Sequence, residues 1–171
     1  MRKVTVLAAF LTMFFLGFNA NAQTKIKLAH INSTELMKVM PGVDTAQKAI
    51  QEFAKLLEEE LTAMRTEFDK KYAKFLEDQP LLPQGTQKVR MQELQDLENR
   101  INMFQEQAQS DMQEKQEELL KPIIDKAKKA IEEVAKENTY NYVFDSGMGV
   151  LLYSDESDDI LNLVKKKLGI K

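Results

Sequence analysis

The feature that most constrains the fold is a pair of long apolar stripes, separated by a short segment rich in helix breakers. In the first stripe the apolar residues recur at steps of three or four, with a mean of about 3.6, the period of an α-helix. Its members are Ile50, Phe53, Leu57, Leu61, Met64, Phe68, Tyr72 and Phe75. A second stripe of the same spacing runs from Leu94 to Val134 and is interrupted once, at Gln116. We therefore predict helices over about residues 44–78 and 87–137 that pair as an antiparallel coiled-coil hairpin.

The breaker segment "EDQPLLPQGT", residues 77–86, predicts the turn at the tip of this hairpin. Its two prolines and its glycine explain why one helix ends and the next begins. Its two leucines have two interpretations. In one, Leu81 and Leu82 close the end of the seam against Phe75 and Val89. In the other, they offer an apolar contact to a partner, and the sequence leaves both interpretations open.

The two helices differ in length, which divides the chain into an arm and a body. Counting back from the tip, the first helix has no more residues to pair with the second beyond about Lys121. Pro122 follows at once and predicts a kink or break in the second helix. We predict an arm over residues 44–121 and a body formed by residues 23–43 and 122–171. The fold class is then α+β and mostly helical, with a small β-strand body.

The elements of the body are predicted from the segments outside the arm. "KIKLAHIN" alternates in polarity like a strand, and Asn32–Glu35 then resembles a capping box that opens a short helix ending before Pro41. Near the other end of the chain, Tyr140–Asp145 and Val150–Tyr153 are predicted to be the strands of a β-hairpin. A last helix is expected over about residues 156–168, because acids stand at its start and lysines at its end.

The predicted strands indicate an oligomer. Both C-terminal strands carry apolar residues on both faces, which implies burial on two sides. A body this small is marginal alone, and the sequence has no cysteine that could form a stabilising disulfide. We therefore predict that copies of the chain cover one another's strands, without a defined number of subunits. The residues expected at this oligomer core are Ile26, Leu28, Tyr142, Phe144, Val150 and Leu152.

The N-terminal segment predicts export. Arg2 and Lys3 precede an apolar run, Val4–Phe18, which small residues follow, so a signal peptide over residues 1–22 is expected, with cleavage between Ala22 and Gln23. The alternative, a membrane anchor, is disfavoured because a bilayer span needs about 20 apolar residues. The formal charge is −3 and becomes −5 once the two basic residues are removed. An acidic mature chain predicts no binding to nucleic acid. No segment after residue 22 is apolar enough to span a bilayer, so we expect no stable membrane insertion.

No set of residues in the sequence points to catalysis, to a cofactor or to a metal. His30 is the only histidine, cysteine is absent, and no metalloprotease or phosphate-binding motif occurs. A histidine base needs a nucleophile and an orienting partner, and neither is indicated. We interpret His30 as a strand residue packed near the oligomer core. The prediction is a protein that is not an enzyme.

Methionine and glutamine distinguish the arm. Nine glutamines lie within residues 84–116. Met64 and Met112 occupy stripe positions and are expected in the seam of the hairpin. Met91 and Met103 lie off the main stripe, so we expect them to face partners, since methionine adapts its shape to varied apolar surfaces.

The order of these elements resembles the Skp/OmpH-like family of periplasmic chaperones over the whole mature chain. The C-terminal part carries most of the resemblance: "AIEEVAKEN", "YVFD", a glycine turn, "LLYSD" and "DDI" follow one another in the order typical of the family. The resemblance implies a homotrimer shaped like a jellyfish, in which the strands form a central body and three arms enclose a cavity. It also implies an ATP-independent holdase in the periplasm, which binds unfolded outer-membrane proteins after export and prevents their aggregation.

Under this interpretation Leu81, Leu82, Met91 and Met103 are the candidate client contacts. The sequence departs from the family in its charge, because family members are often basic and have positively charged arm tips. We therefore assign no lipopolysaccharide-binding site. The alternative function is a non-catalytic coiled-coil spacer or adaptor in the cell envelope, which would bind one folded partner and ignore unfolded chains.

Overall fold

The computed structural model of the protein describes residues 26–170, so the predicted signal peptide and its cleavage site lie outside the described residues. In chain order the elements are β1 (Leu28–Ile31), α1 (Ser33–Val39), α2 (Val43–Asp78), α3 (Gln84–Glu137), β2 (Tyr142–Asp145) and α4 (Leu161–Lys167). Two short 3₁₀ turns add to these, at Gln79–Leu81 and Glu156–Asp158. This order of elements, with long helices and two short strands, confirms the predicted mostly helical α+β fold.

The two long helices form the predicted antiparallel hairpin. α2 has 36 residues and α3 has 54, or roughly 54 Å and 81 Å at 1.5 Å per residue. The seam between them is best buried near the tip, at Phe75, Leu94, Leu97 and Ile101. Toward the body the other stripe residues, such as Leu61, are only half-buried, because two helices alone leave much of each apolar stripe in contact with water.

A kink or break was predicted at Pro122, and the break is wrong, since α3 continues through this residue. Proline removes one helical N–H donor, and Pro122 is exposed, so water can reach the backbone carbonyl that loses its partner. The next turns of α3 are held by burial of Ala127 and Ala130 in the body. Gly42, just before α2, lies beside Ile123: a Cβ atom on this glycine would stand 3.6 Å from the Ile123 Cδ1 atom. The start of α2 is therefore opposite the proline.

The sheet differs from the prediction. β1 and β2 form a two-stranded parallel sheet in which Leu28 is opposite Tyr142 and Ile31 is opposite Asp145. The Ser146 amide extends the ladder by donating to the Ile31 carbonyl at 2.9 Å. The predicted β-hairpin is wrong, because Val150–Tyr153 forms no strand in the described part of the chain.

The predicted β-hairpin does not form because the end of β2 and the glycine turn are hydrogen-bonded at the start of α1 instead. The Asp145 carboxylate accepts hydrogen bonds from the Ser33 amide at 3.1 Å, from the Ser33 hydroxyl, and from the Gly147 amide at 2.8 Å. These bonds turn the chain toward the start of α1 instead of back along β2. Asn32 caps α1 as predicted, since its side-chain oxygen accepts from the Glu35 amide at 3.0 Å.

The hydrophobic core lies in the body, where both ends of the described chain meet the last third of α3. The core residues come from β1, α1, the start of α2, α3 and the C-terminal segment, and they are Ala29, Ile31, Leu36, Met40, Val43, Ala127, Ala130, Val134, Ile160 and Val164. Ile160 and Val164 are fully buried. α4 is thereby fixed against α3, and Lys167 adds ion pairs to Glu133 at 3.3 Å and to Glu137.

The C-terminal helix is shorter than expected. The predicted range begins with the 3₁₀ turn Glu156–Asp158, and α4 starts only at Leu161. The Ile160 amide donates to the His30 carbonyl at 3.0 Å, so this segment first adds a hydrogen bond to β1. The helix ends at Lys167, and Gly169 follows its C-cap with a φ of 71°, the left-handed conformation that glycine accepts most readily.

Candidate functional surfaces

One face of the two-stranded sheet is apolar and exposed. Side chains of a strand alternate between its two faces. Ala29 and Ile31 point into the core, so Leu28 and His30 lie on the outer face, together with Tyr142 and Phe144 of β2. The Tyr142 and Phe144 rings stack with their centroids 6.4 Å apart. We call this surface, with the apolar residues that follow β2, the outer face of the body.

All six residues predicted for the oligomer core are exposed in the single chain. Leu28, Tyr142 and Phe144 lie on β1 and β2, Ile26 lies just before β1, and Val150 and Leu152 lie after the glycine turn. Leu152 is fully exposed, at 101 % of its reference area. Exposed Met148 and Tyr153 extend the same apolar segment. Contiguous apolar surface of this kind is typical of protein interaction sites.

His30 is held by backbone rather than by catalytic partners. Its Nε2 atom is 3.0 Å from the Asp155 carbonyl, so this nitrogen is the donor, while Nδ1 is buried and has no hydrogen-bond partner among residues 26–170. Hydrogen bonds from the Ser157 amide and hydroxyl lower the pKa of the Asp155 carboxyl. The histidine borders an open pocket of about 280 Å³ beside Phe144 and Tyr153.

Among residues 26–170 the His30 ring hydrogen-bonds to one backbone carbonyl. Within this described part of the chain, no nucleophilic side chain hydrogen-bonds to the ring, and a carbonyl oxygen rather than a carboxylate orients it. Over the described residues, no three His, Cys, Asp or Glu side chains are grouped so that they could hold a metal ion.

One glutamine side chain hydrogen-bonds to the backbone of the turn at the tip of the hairpin. The Gln87 side-chain amide donates to the Gln79 carbonyl at 3.0 Å and to the Leu82 carbonyl at 2.8 Å, which satisfies two backbone groups where the helical ladder is interrupted. The role of Gln87 was not predicted from the sequence, and its position four residues after the second proline is the only signal that could have indicated it.

The two tip leucines have different environments. Leu82 is half-buried and lines a cavity of about 50 Å³ together with Phe75 and Leu94. Leu81 is 85 % exposed and points away from the seam. Val89, the other residue expected to close the seam, is also exposed. The end of the hairpin is thus closed by one leucine, and the other remains accessible to a partner.

The methionines divide as the stripe positions predict. Met64 and Met112 are half-buried in the seam, whereas Met91 and Met103 are exposed on α3. The two exposed methionines differ in their surroundings, because Met91 lines a groove between the helices near the tip and Met103 is not among the residues that line this groove.

This distal groove, as we name it, runs along one side of the hairpin near the tip and has a volume of about 470 Å³. Its apolar part is lined by Phe68, Tyr72, Phe75, Leu76, Met91 and Leu94, and its polar part by Gln79, Gln95 and Glu98. The Phe68 and Tyr72 rings stack nearly parallel, with centroids 5.9 Å apart. Tyr72 and Leu76 are about half exposed, although Tyr72 was predicted within the seam.

The position of Tyr72 and Leu76 follows from helix geometry. Phe68, Tyr72 and Leu76 are spaced four residues apart, and such a row rotates slowly around a helix of 3.6 residues per turn. The row therefore leaves the seam toward the tip. This spacing was present in the sequence and could have indicated the groove.

The opposite side of the same seam is charged. Lys71, Lys74 and Arg90 surround the small cavity under Leu82, together with Asp78 and Glu93. The far end of the arm therefore presents two chemically different sides, one apolar and amide-bearing, the other with mixed charge. Across the described residues, no helix is both long and apolar enough to cross a membrane.

Comparisons with known proteins agree with this architecture. The family model described as "Outer membrane protein (OmpH-like)" matches residues 27–168. A crystal structure from Caulobacter crescentus CB15, at 2.83 Å resolution, of a chain proposed to be an outer membrane chaperone (OmpH-like), is similar in fold with a TM-score of 0.70. The two chains are 14 % identical, and the similarity covers 84 % of this chain and 83 % of the other. No sequence among the curated proteins matches this chain.

Proposed function

Because this chain belongs to the OmpH-like family, we propose that it is an ATP-independent periplasmic holdase. It binds unfolded outer-membrane proteins after their export and prevents their aggregation. The proposal includes a periplasmic location, reached through the predicted signal peptide, and no enzymatic activity.

The observation that carries this proposal is the distribution of apolar surface along the arm. A hairpin anchored only at its base exposes Tyr72, Leu76, Leu81, Met91 and Met103 far from the core of the body. An unfolded client has apolar side chains in contact with water, and covering them on the arm removes that contact. Many weak contacts of this kind hold clients of different sequence, because none of them requires a precise fit.

We further propose that three copies assemble through the outer face of the body. Ile26, Leu28, Tyr142, Phe144, Val150 and Leu152 would then be covered by the partner subunits. Residues 44–121 would project as arms from a body formed by residues 23–43 and 122–171. The exposure of all six residues in the single chain supports this assignment, because a single small body leaves them in water.

The test is an aggregation assay with an unfolded outer-membrane β-barrel. The barrel is diluted out of denaturant with the purified mature protein at a stoichiometric ratio, and light scattering is followed. We expect scattering to be suppressed without ATP. Unchanged scattering would contradict the holdase function.

A pull-down separates the holdase from a coiled-coil spacer or adaptor. The immobilised protein is offered unfolded barrels and folded envelope proteins in parallel. A holdase retains the unfolded barrels, whereas a spacer or adaptor retains one folded protein and ignores unfolded chains.

A further inference from the structure

The distal groove differs from the rest of the exposed arm because both helices contribute to it. On α2, Tyr72 and Leu76 present a phenol ring and an isobutyl group on one side, and Met91 faces them from α3. The stacked ring of Phe68 extends the apolar surface toward the body. Isolated exposed apolar residues are ordinary on protein surfaces, but a groove with aromatic, aliphatic and thioether groups together is a binding feature.

The residues that line the groove include no basic one, although the chain is rich in lysine. Glu98 is the one charged residue among those that line it, and no lysine or arginine is present there. The basic groups of this part of the arm, Lys71, Lys74 and Arg90, border the cavity on the opposite side of the seam. A ligand in the groove therefore meets no cation and one carboxylate. This arrangement suits uncharged or basic segments and repels acidic ones.

The polar groups of the groove suit a polypeptide without secondary structure. Gln79 and Gln95 each carry an amide with both donors and an acceptor, placed beside the apolar residues. The backbone N–H and C=O groups of a folded partner are already paired within that partner. Those of an unfolded chain need partners once they leave water, and neutral amides can supply them without selecting a particular side chain.

From these observations we infer that the distal groove binds unfolded, extended polypeptide segments that are rich in aromatic and aliphatic residues and free of acidic ones. This inference rests on the proposed holdase function and names the part of the arm that selects the bound segment. It also separates two residues of like type on α3, since Met91 belongs to the groove and Met103 does not.

The experiment compares two double variants of the full mature chain. The first, Leu76→Ser with Met91→Ser, alters the groove. The control, Leu56→Ser with Val89→Ser, removes apolar side chains of similar exposure from the same two helices outside the groove: Leu76 is 50 % and Leu56 is 62 % exposed, and Met91 is 55 % and Val89 is 57 % exposed. All four side chains are at least half exposed, so helicity by circular dichroism should match wild type in both variants.

The probes are two fluorescent peptides of equal length. One alternates aromatic or aliphatic residues with serine, and the other carries aspartate in place of the serines. We expect the neutral peptide to bind wild type and the control alike, and to bind the groove variant on the order of tenfold more weakly. We expect the acidic peptide to bind wild type on the order of tenfold more weakly than the neutral one.

The outcomes separate this inference from the proposed function. If wild type does not suppress aggregation of the unfolded barrel, the holdase function itself fails. If wild type suppresses it and both variants bind the neutral peptide equally, the groove assignment is wrong. If wild type binds the acidic and the neutral peptide equally, and only the groove variant loses binding of the acidic peptide, the proposed charge selectivity is wrong. A change of sedimentation mass in the groove variant alone shows that the groove is filled by another copy of the chain.

Discussion

Ser33 and Asp145 connect the start of α1 to the end of β2 through two hydrogen bonds, one from the serine amide and one from its hydroxyl to the same carboxylate. The residues are 112 positions apart, so this pair closes the body around the base of the arm. The Gly147 amide adds a third bond to the carboxylate. No other side chain described in the body joins its N-terminal and C-terminal segments through so many bonds to one group.

We expect replacement of Asp145 by Asn to destabilise the protein by about 1 kcal/mol, because an amide accepts more weakly and only through one oxygen. The measurement is urea unfolding at pH 7 and at fixed protein concentration, since an oligomer's stability depends on concentration. Asp69→Asn, on the exposed surface of the arm, is the control and should unfold with wild type. Equal midpoints for all three proteins would show that the carboxylate is not needed.

The same group predicts a dependence on pH. Burial raises the pKa of the Asp145 carboxyl, but the hydrogen bonds from Ser33 and Gly147 outweigh it, so the pKa lies below the usual 3.8. Its stabilisation is therefore complete above the unfolded-state pKa and is lost as the pH falls through the lower folded-state pKa. The stability difference between wild type and Asp145→Asn should be constant from pH 7 to about 5 and should shrink below pH 4. A difference that grows on acidification would contradict this sign.

Two glycines provide a matched test of the turn. A Cβ atom at Gly147 would lie 2.6 Å from the Asn32 side-chain oxygen and 3.1 Å from the Thr34 hydroxyl, whereas nothing lies within 4 Å of one at Gly85. Gly147→Ala should therefore destabilise the body by about 1–3 kcal/mol, since it displaces the α1 cap. Gly85→Ala should be neutral or stabilise by up to about 1 kcal/mol, because alanine suits the first turn of a helix. Thermal unfolding of the two variants gives the comparison.

A charge on the outer face of the body should prevent assembly. We expect Phe144→Asp and Leu152→Asp each to abolish the oligomer, because a covered carboxylate without a partner is strongly unfavourable. Val89→Asp introduces the same charge at an exposed valine near the tip and should leave the mass unchanged. Sedimentation velocity measures the three masses. An intact oligomer of either body variant, equally stable to dilution, would rule out this face as the interface.

The tip leucines should separate stability from client binding. Leu82→Ser should lower the stability of the hairpin by about 1–2 kcal/mol, because this side chain covers the seam beside Phe75 and Leu94. Leu81→Ser should leave stability unchanged, since the side chain is exposed, and should reduce suppression of barrel aggregation. Urea unfolding and light scattering on both variants are the measurements. If Leu81→Ser lowered stability and Leu82→Ser instead reduced the suppression of aggregation, the two leucines would have the opposite roles.

Local spacing predicted the helices, and it did so because helical periodicity is a property of neighbouring residues. The Asn32 cap could be predicted for the same reason, since its partner is only three residues away. Strand pairing is different. From the sequence, the nearest predicted partner of β2 was Val150–Tyr153, across a glycine turn. In the structure β2 pairs with β1, and this pairing depends on how α3 brings the two ends of the chain together.

The candidate surfaces were predictable to a similar extent. Apolar residues on both faces of the predicted C-terminal strands sufficed to propose an exposed interaction surface on the body, and the stripe sufficed to separate Met91 and Met103 from the seam. The distinction between Leu81 and Leu82 required the geometry of the tip, because two adjacent leucines in a loop are equivalent in sequence. The distal groove also depends on the register between α2 and α3, which no single helix specifies.

The parallel pairing of β1 with β2 has a consequence for the order of folding. The backbone of Lys27 bonds to Asn141, 114 positions away, so the first strand has no partner until almost the whole chain is available. The hairpin, by contrast, is built from contacts that begin at the tip and spread outward through neighbouring turns. Formation of local contacts is faster than closure of a long loop. We therefore expect the arm to form before the body, so that each folding chain passes through a stage in which its arm is formed while its own first strand is still an unfolded segment.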